Sequence, residues 1–167
     1  MLTARPPSRP IDDRLMTREG YDRLQRELLE LTTDGRRELA KRVSRAREAE
    51  ANVAENGELK EALDDAALLE QRIAELTSLL AGVRIVEAAA GDGAAAVGTR
   101  VGVRTGDGEV LHYELVGAGE ADPARGRISI SSPVGEAIAG RVPGDRIEVE
   151  TPRRRIGFEL VSVTACA

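Results

Sequence analysis

Apolar residues recur along this chain with two different periods. Leu59, Ala66, Ile73 and Leu80 are seven apart, and Ala62, Leu69, Leu76 and Val83 follow each of them by three. That spacing is the seam of a coiled coil. No Pro falls between Leu59 and Val86 and the only Gly there is Gly82, which predicts a helix of about 28 residues, about 42 Å long. An earlier segment carries a seam at Tyr21, Leu24, Leu28 and Leu31, with Thr17 placed to cap its start and Glu19 in its first turn. Thr32-Thr33-Asp34-Gly35 interrupts it, and Leu39, Val43 and Ala46 resume out of phase, which predicts a break or kink. Between the arms lies the polar stretch Ala51-Asn52-Val53-Ala54-Glu55-Asn56-Gly57. Asn56-Gly57 signals chain reversal, so residues 16–87 are expected to form an antiparallel coiled-coil hairpin with its tip at 51–57. A parallel, self-associated coiled coil is the competing arrangement, and the reversal signal disfavours it.

The period then changes. Residues 88–96 are Ala and Gly with one Asp, a composition that reads as a linker. Beyond it come short β-type runs punctuated by turn residues: Thr99 to Arg104, Val110 to Val116, Arg127 to Ser131, Ile147 to Glu150 and Ile156 to Val163. Pro133 to Ile138 is suited to a short helix. Residues 97–167 are therefore expected to form a small antiparallel sheet with one helix, making the whole chain α+β. Residues 1–15, with Pro6, Pro7 and Pro10, read as a disordered tail, and Met16 is a candidate start.

Composition narrows the chemistry. The 167 residues are 32% charged and 2% aromatic, which suits a long helical pair beside a small domain. No stretch has the length and apolarity of a membrane helix or of a secretory signal, so a cytoplasmic protein is expected. A single Cys166 and a single His112 leave almost no material for a disulfide framework, a zinc site or a Ser-His-Asp triad, and His112 reads as a strand residue. From Arg36 to Arg47 six bases face one acid, Glu38, and Arg37, Lys41 and Arg45 share a helix face. Such a face can meet phosphate; equally, it can be a solvated face balancing the acidic second arm. The net charge of -5 argues against sequence-independent binding to free DNA.

Met16-Thr17-Arg18-Glu19-Gly20-Tyr21, the tip Glu55-Asn56-Gly57-Glu58, and Ile128-Ser129-Ile130-Ser131-Ser132-Pro133 followed by Gly144-Asp145 and Thr151-Pro152 resemble, in order, the bacterial Gre transcript-cleavage factors. The resemblance runs from Met16 to about Val163. It implies a monomer whose coiled coil enters the secondary channel of bacterial RNA polymerase, close to the 3′ end of the nascent RNA, while an immunophilin-like (FKBP-like) domain docks on the rim helices. Glu120, Asp122, Ser131, Ser132 and Pro133 fall where the family faces that rim, although the same residue types favour turns. Arg37, Lys41 and Arg45 become candidates for contact with nucleic acid or polymerase.

In that family the tip reads Gly-Asp-Leu-X-Glu-Asn, and its two acidic residues help the polymerase hold a second Mg²⁺ and an attacking water. Carboxylates are hard oxygen ligands suited to Mg²⁺, and two metals clamp an in-line displacement at phosphate. Here Glu55 matches the Glu and Asn56 the Asn, but Asn52 occupies the Asp position, Ala54 is the middle residue, and one extra residue lengthens the tip. Glu50 is a candidate for the missing carboxylate and is equally an ordinary helix charge; Ala54 and Asn56 read as shaping the turn. Three functions follow: a channel-binding regulator without hydrolytic competence, a working cleavage factor using Glu55 with Glu50 or Asn52, and a prolyl isomerase or chaperone. The first is favoured. The chain is expected to be no enzyme itself, at most stimulating the polymerase's own hydrolysis with a shared Mg²⁺, and the third needs an aromatic-lined pocket to which the C-terminal domain brings only Tyr113 and Phe158.

Overall fold

The first arm is one helical run, not two. In this computed structural model, which describes residues 12, 14–50, 57–86, 93–150 and 155–166, helix α1 (Arg18–Glu30) passes through a π turn (Leu31–Gly35) directly into α2 (Arg36–Glu50). The interruption expected at Thr32-Thr33-Asp34-Gly35 is thus a widened turn that keeps the helix continuous. Thr17 caps α1 as anticipated, accepting the Gly20 amide at 3.0 Å.

The second arm, α3, spans Gly57–Leu80 and packs along α2. Among the described residues of the two arms, Leu24, Ala46, Ala62, Ile73 and Leu76 are the buried apolar ones, each large one contributing roughly 1.5–3 kcal/mol of transfer free energy. The small pair Ala46 and Ala62 lies toward the tip and the large residues toward the base. Ion pairs tie the arms across the outside: Arg72 to Glu27 at 2.8 Å, Arg36 to Glu70 through two 2.7 Å hydrogen bonds, and Arg42 to Asp65.

Helix α3 stops short of the length its heptads allow. Gly82 takes φ +81°, a left-handed conformation open to glycine at little cost, and Arg84–Val86 leaves as a strand. This strand, β2, pairs in parallel with β1 (Leu15–Thr17), Met16 opposite Ile85. Leu15 is therefore strand and not tail, and Val83 does not complete the seam. The chain divides into a unit of Tyr21–Gly82 and a unit of Met1–Gly20 with Val83–Ala167.

The second unit holds a five-stranded sheet in the order β5-β4-β3-β7-β6, with β3 Thr99–Thr105, β4 Val110–Val116, β5 Arg127–Ser129, β6 Arg146–Glu150 and β7 Arg155–Ala165. Helix α4 (Pro133–Ile138) carries Ile138, one of the residues of the core formed by Val101, Val103, Leu115, Ile147, Val149 and Leu160. The sheet departs from an all-antiparallel pattern at β4–β5, which pair in parallel because a 3₁₀ turn at Pro123–Arg125 returns the chain to the edge in the same direction. Between Gly102 and Val103 the β7 register slips by one, leaving Val161 as the extra residue of a bulge. That slip lets Leu160 and Val163 both face the core.

The linker expected through Ala96 is corrected at its end. Ala95 is buried in the sheet core and exchanges main-chain hydrogen bonds with Arg141 and Gly140, each at 2.8 Å. Small side chains there signal close packing rather than slack. Among the described residues no helix is long and apolar enough to cross a membrane.

Candidate functional site

The tip itself, with Asn52, Ala54, Glu55 and Asn56, lies outside the described residues, and Glu50 is the last residue of α2. What leads into it is described. Arg37, Lys41 and Arg45 stand on one exposed face of α2 and are partly engaged on their own arm: Arg37 with Asp34 at 3.0 Å, Lys41 with Glu38 at 2.8 Å, and the Arg45 Nε with the Lys41 carbonyl at 3.4 Å. Lys41 holds the Glu38 carboxyl below the usual carboxylate range by hydrogen bond and charge.

The six bases of Arg36 to Arg47 therefore split by position. Arg36 and Arg42 reach across to acids of α3; Arg37 and Lys41 pair locally; Arg45 and Arg47, nearest the tip, make no ion pair among the described residues. Among the described residues, the cations without an ion pair therefore stand at the tip end of α2. Next to it, Glu58 and Glu61 line a recess with Arg42, Arg45, Ala46 and Ala49.

The residues read as rim contacts are used differently from one another. Glu120 is buried, with 1% of its surface exposed. Its carboxylate accepts the Thr17 amide at 3.0 Å, the Thr17 hydroxyl, and the Gly117 amide at 2.8 Å. It works inside the unit, gripping the first turn of α1. Asp122 is half-buried and closes a small turn through two 2.9 Å main-chain bonds with Arg127. Ser132 caps α4, accepting the Gly135 amide at 3.1 Å while donating to the Ser129 carbonyl at 2.7 Å, and Ser131 lies 3.1 Å from the Ser129 hydroxyl. Pro133 is exposed.

Three further residues shape this region, none of them a site candidate from the sequence. A Cβ at Gly20 would sit 1.7 Å from the Glu120 carboxylate, and one at Gly117 would sit 1.9 Å from the Leu15 carbonyl. A glycine inside the first turn of a helix was the available signal, since it lowers helix propensity without explaining itself locally. The third is Arg127, buried beside Glu114 at 3.6 Å and Glu19 at 3.9 Å, with Nε and Nη2 lacking a hydrogen-bond partner among the described residues. Cys166 nearby has its thiol pushed up chiefly by burial.

The described residues thus give a helical hairpin whose tip end carries two arginines without an ion pair among the described residues, and a compact sheet unit whose loops are held from within. Comparison with known families identifies this pair of units. The family model described as "Transcription elongation factor, N-terminal" matches residues 14–85, and "Transcription elongation factor, GreA/GreB, C-term" matches 90–165. The chain belongs to the GreA/GreB family of transcription elongation factors. It is 40% identical over 151 residues to the transcription elongation factor GreA of Roseiflexus sp. (strain RS-1), covering 89% of this chain and 95% of that protein. With GreA of Chloroflexus aurantiacus (strain ATCC 29366 / DSM 635 / J-10-fl) it shares 41% over 150 residues, at the same coverage of 89% and 95%. Among solved structures it is similar to GreA factor homolog 1 (Gfh1) of Thermus thermophilus, with 26% identity, 90% of this chain and 98% of that chain covered, and a TM-score of 0.40.

Proposed function

We propose that this elongation factor binds bacterial RNA polymerase as a monomer, enters its secondary channel with the hairpin, and modulates transcription with little or no transcript cleavage of its own making. The single observation that carries the reading is the tip sequence: Asn52 in place of the family's Asp, Ala54 in the middle position, and one residue more between Ala46-Arg47-Glu48 and Glu55-Asn56. A neutral amide oxygen can ligate Mg²⁺ but lacks the charge that retains a weakly bound ion. The donor set at the tip is thus one carboxylate short of what a shared second Mg²⁺ asks for, and Glu55 alone matches it.

In this reading the chain is no hydrolase; any cleavage is the polymerase's own. Arg45, with Arg37 and Lys41 behind it, faces phosphate or polymerase near the RNA 3′ end. Asp122, Ser131, Ser132 and Pro133 supply the rim contact, and Glu120 serves by holding their unit to the root of α1. An occupied channel obstructs nucleotide entry, which makes the expected effect inhibitory.

A second reading keeps cleavage, with Glu55 assisted by Glu50 or Asn52. It is favoured by the relatives named GreA at about 40% identity. Against the isomerase or chaperone reading stands the packing of Tyr113 and Phe158, both half-buried, against the sheet core. RNA cleavage in backtracked elongation complexes with Mg²⁺, run beside a run-off assay, separates these. Reduced run-off without shortened RNA supports the regulator, and Asn52→Asp should then create cleavage. Shortened RNA that disappears with Glu55→Ala establishes the cleavage factor. Silence in both assays sinks the polymerase reading.

A further inference from the structure

The first arm contains one residue more than a regular helix with its seam would hold. Continuing the spacing of Leu24, Leu28 and Leu31 by alternate steps of three and four leads to Gly35, Glu38, Arg42 and Arg45. The residues that turn inward are instead Leu39, Val43 and Ala46, each one position later, while Glu38, Arg42 and Arg45 are exposed. The π turn at Leu31–Gly35 absorbs the difference: the Arg36 amide bonds back to the Leu31 carbonyl, five residues away.

A widened turn leaves carbonyls without their usual amide partners, and this one supplies substitutes. Thr32 Oγ1 lies 2.8 Å from the Leu28 carbonyl and 3.0 Å from that of Leu29, sharing its proton between them, and Thr33 Oγ1 donates to the Leu29 carbonyl at 2.7 Å. On either side the turn is strapped to one stretch of α3, through Glu27 to Arg72 before it and Arg36 to Glu70 after it. A Cβ at Gly35 would lie 3.3 Å from Leu69 Cδ1, so the turn also sits close on α3.

We propose that this π turn, held by the hydroxyls of Thr32 and Thr33, is a positioning device that sets how far along α3 the first arm delivers the tip. The inference rests on the elongation-factor reading for its functional half, and on geometry alone for its structural half. A single-residue deletion, Thr33 removed, lets α1 and α2 join as a regular helix with Leu39, Val43 and Ala46 still inward. It withdraws the tip end of α2 by about 1.5 Å relative to α3, and misplacements of about 1 Å can cost on the order of 100-fold in activity.

The test compares three full-length proteins: wild type, Thr32→Val with Thr33→Val, and the Thr33 deletion. Valine keeps the volume and removes both hydroxyls, so the double variant is expected to unfold about 5–10 °C lower. The deletion is expected to melt at or above the wild-type midpoint while losing its effect on run-off transcription at least tenfold. A deletion protein that melts as low as the double variant, or does not fold, overturns the assignment of an inserted residue. One that folds and acts like wild type overturns the positioning role. If wild type itself leaves run-off and cleavage unchanged, the elongation reading fails, and the melting comparison still decides the structural half.

Discussion

The two units meet the same difficulty in opposite ways. In the sheet, one extra residue, Val161, is taken up by a bulge within β7, and pairing with β3 on both sides of the slip holds it. In the hairpin, one extra residue is taken up by the π turn, which has no buried residues and is held by two hydroxyls and partly exposed ion pairs. The sheet stores its stability in side chains with no exposed surface, such as Val101, Leu115 and Leu160. The hairpin relies on a narrow seam ending in two alanines. A core that is dense tolerates local irregularity; a seam one residue wide has to compensate it on the surface.

The largest effect that would break this contrast is in the sheet core. Leu160→Ala should cost about 2–5 kcal/mol, measured as the drop in urea midpoint followed by near-ultraviolet signal from Tyr113, whereas Val43→Ala in the half-exposed seam should cost less than half as much. Equal losses would mean that the hairpin is packed as tightly as the sheet. Next, Gly20→Ala pushes a methyl into the Glu120 carboxylate and should destabilise the sheet unit by roughly 1–3 kcal/mol. The same substitution in a Glu120→Ala background should be nearly neutral, and a full penalty there would show that the close approach is not the cause.

Smaller effects sharpen the comparison. Ser132→Ala removes the α4 cap and should cost about 1 kcal/mol, unchanged between low and high salt because the bonds are short-ranged and neutral. The Arg36 pairing holds the Glu70 carboxyl below the usual glutamate range. A carboxyl with a lowered folded value stabilises above its ordinary value, and that contribution is lost as pH falls through the lowered one. The hairpin's melting midpoint should therefore slip modestly below about pH 4.5. With Glu70→Gln or in 1 M salt that part of the slope should vanish, and a slope that survives both would assign it elsewhere.

How much of the fold is legible in the chain follows the range of the interactions. Val110–Val116 and Pro133–Ile138 were legible to the residue, since alternation, flanking Gly-Asp-Gly and an Ser-Pro start are local signals. The out-of-phase seam at Leu39 was legible too, though not that a single wide turn would resolve it. Strands β1 and β2 were not, because three-residue strands carry no period and Arg84-Ile85-Val86 resembles the tail of a heptad. The parallel partner of β4 and the bulge at Val161 depend on which strands meet, which no local pattern encodes. Glu120 stood in a Gly-Glu-Ala-Asp stretch that reads as surface loop. Its burial depends on Thr17 and Gly20, a hundred residues earlier in the sequence. The residues flanking the tip were visible as candidates, but their division into cations paired with α3 and cations without an ion pair among the described residues depends on which acids Arg36 and Arg42 face.

Strands β1 and β2 also have a modular consequence. They are neighbours in one small sheet, so the chain departs into the hairpin and returns from it at adjoining doors, and the hairpin is in effect the crossover that parallel strands require. Residues 21–82 form an insert within a domain whose two halves are already stitched together. Such an insert is expected to be exchangeable: a hairpin of different length joined at residues 20 and 83 should leave the pairing of β1 with β2 and the sheet in place.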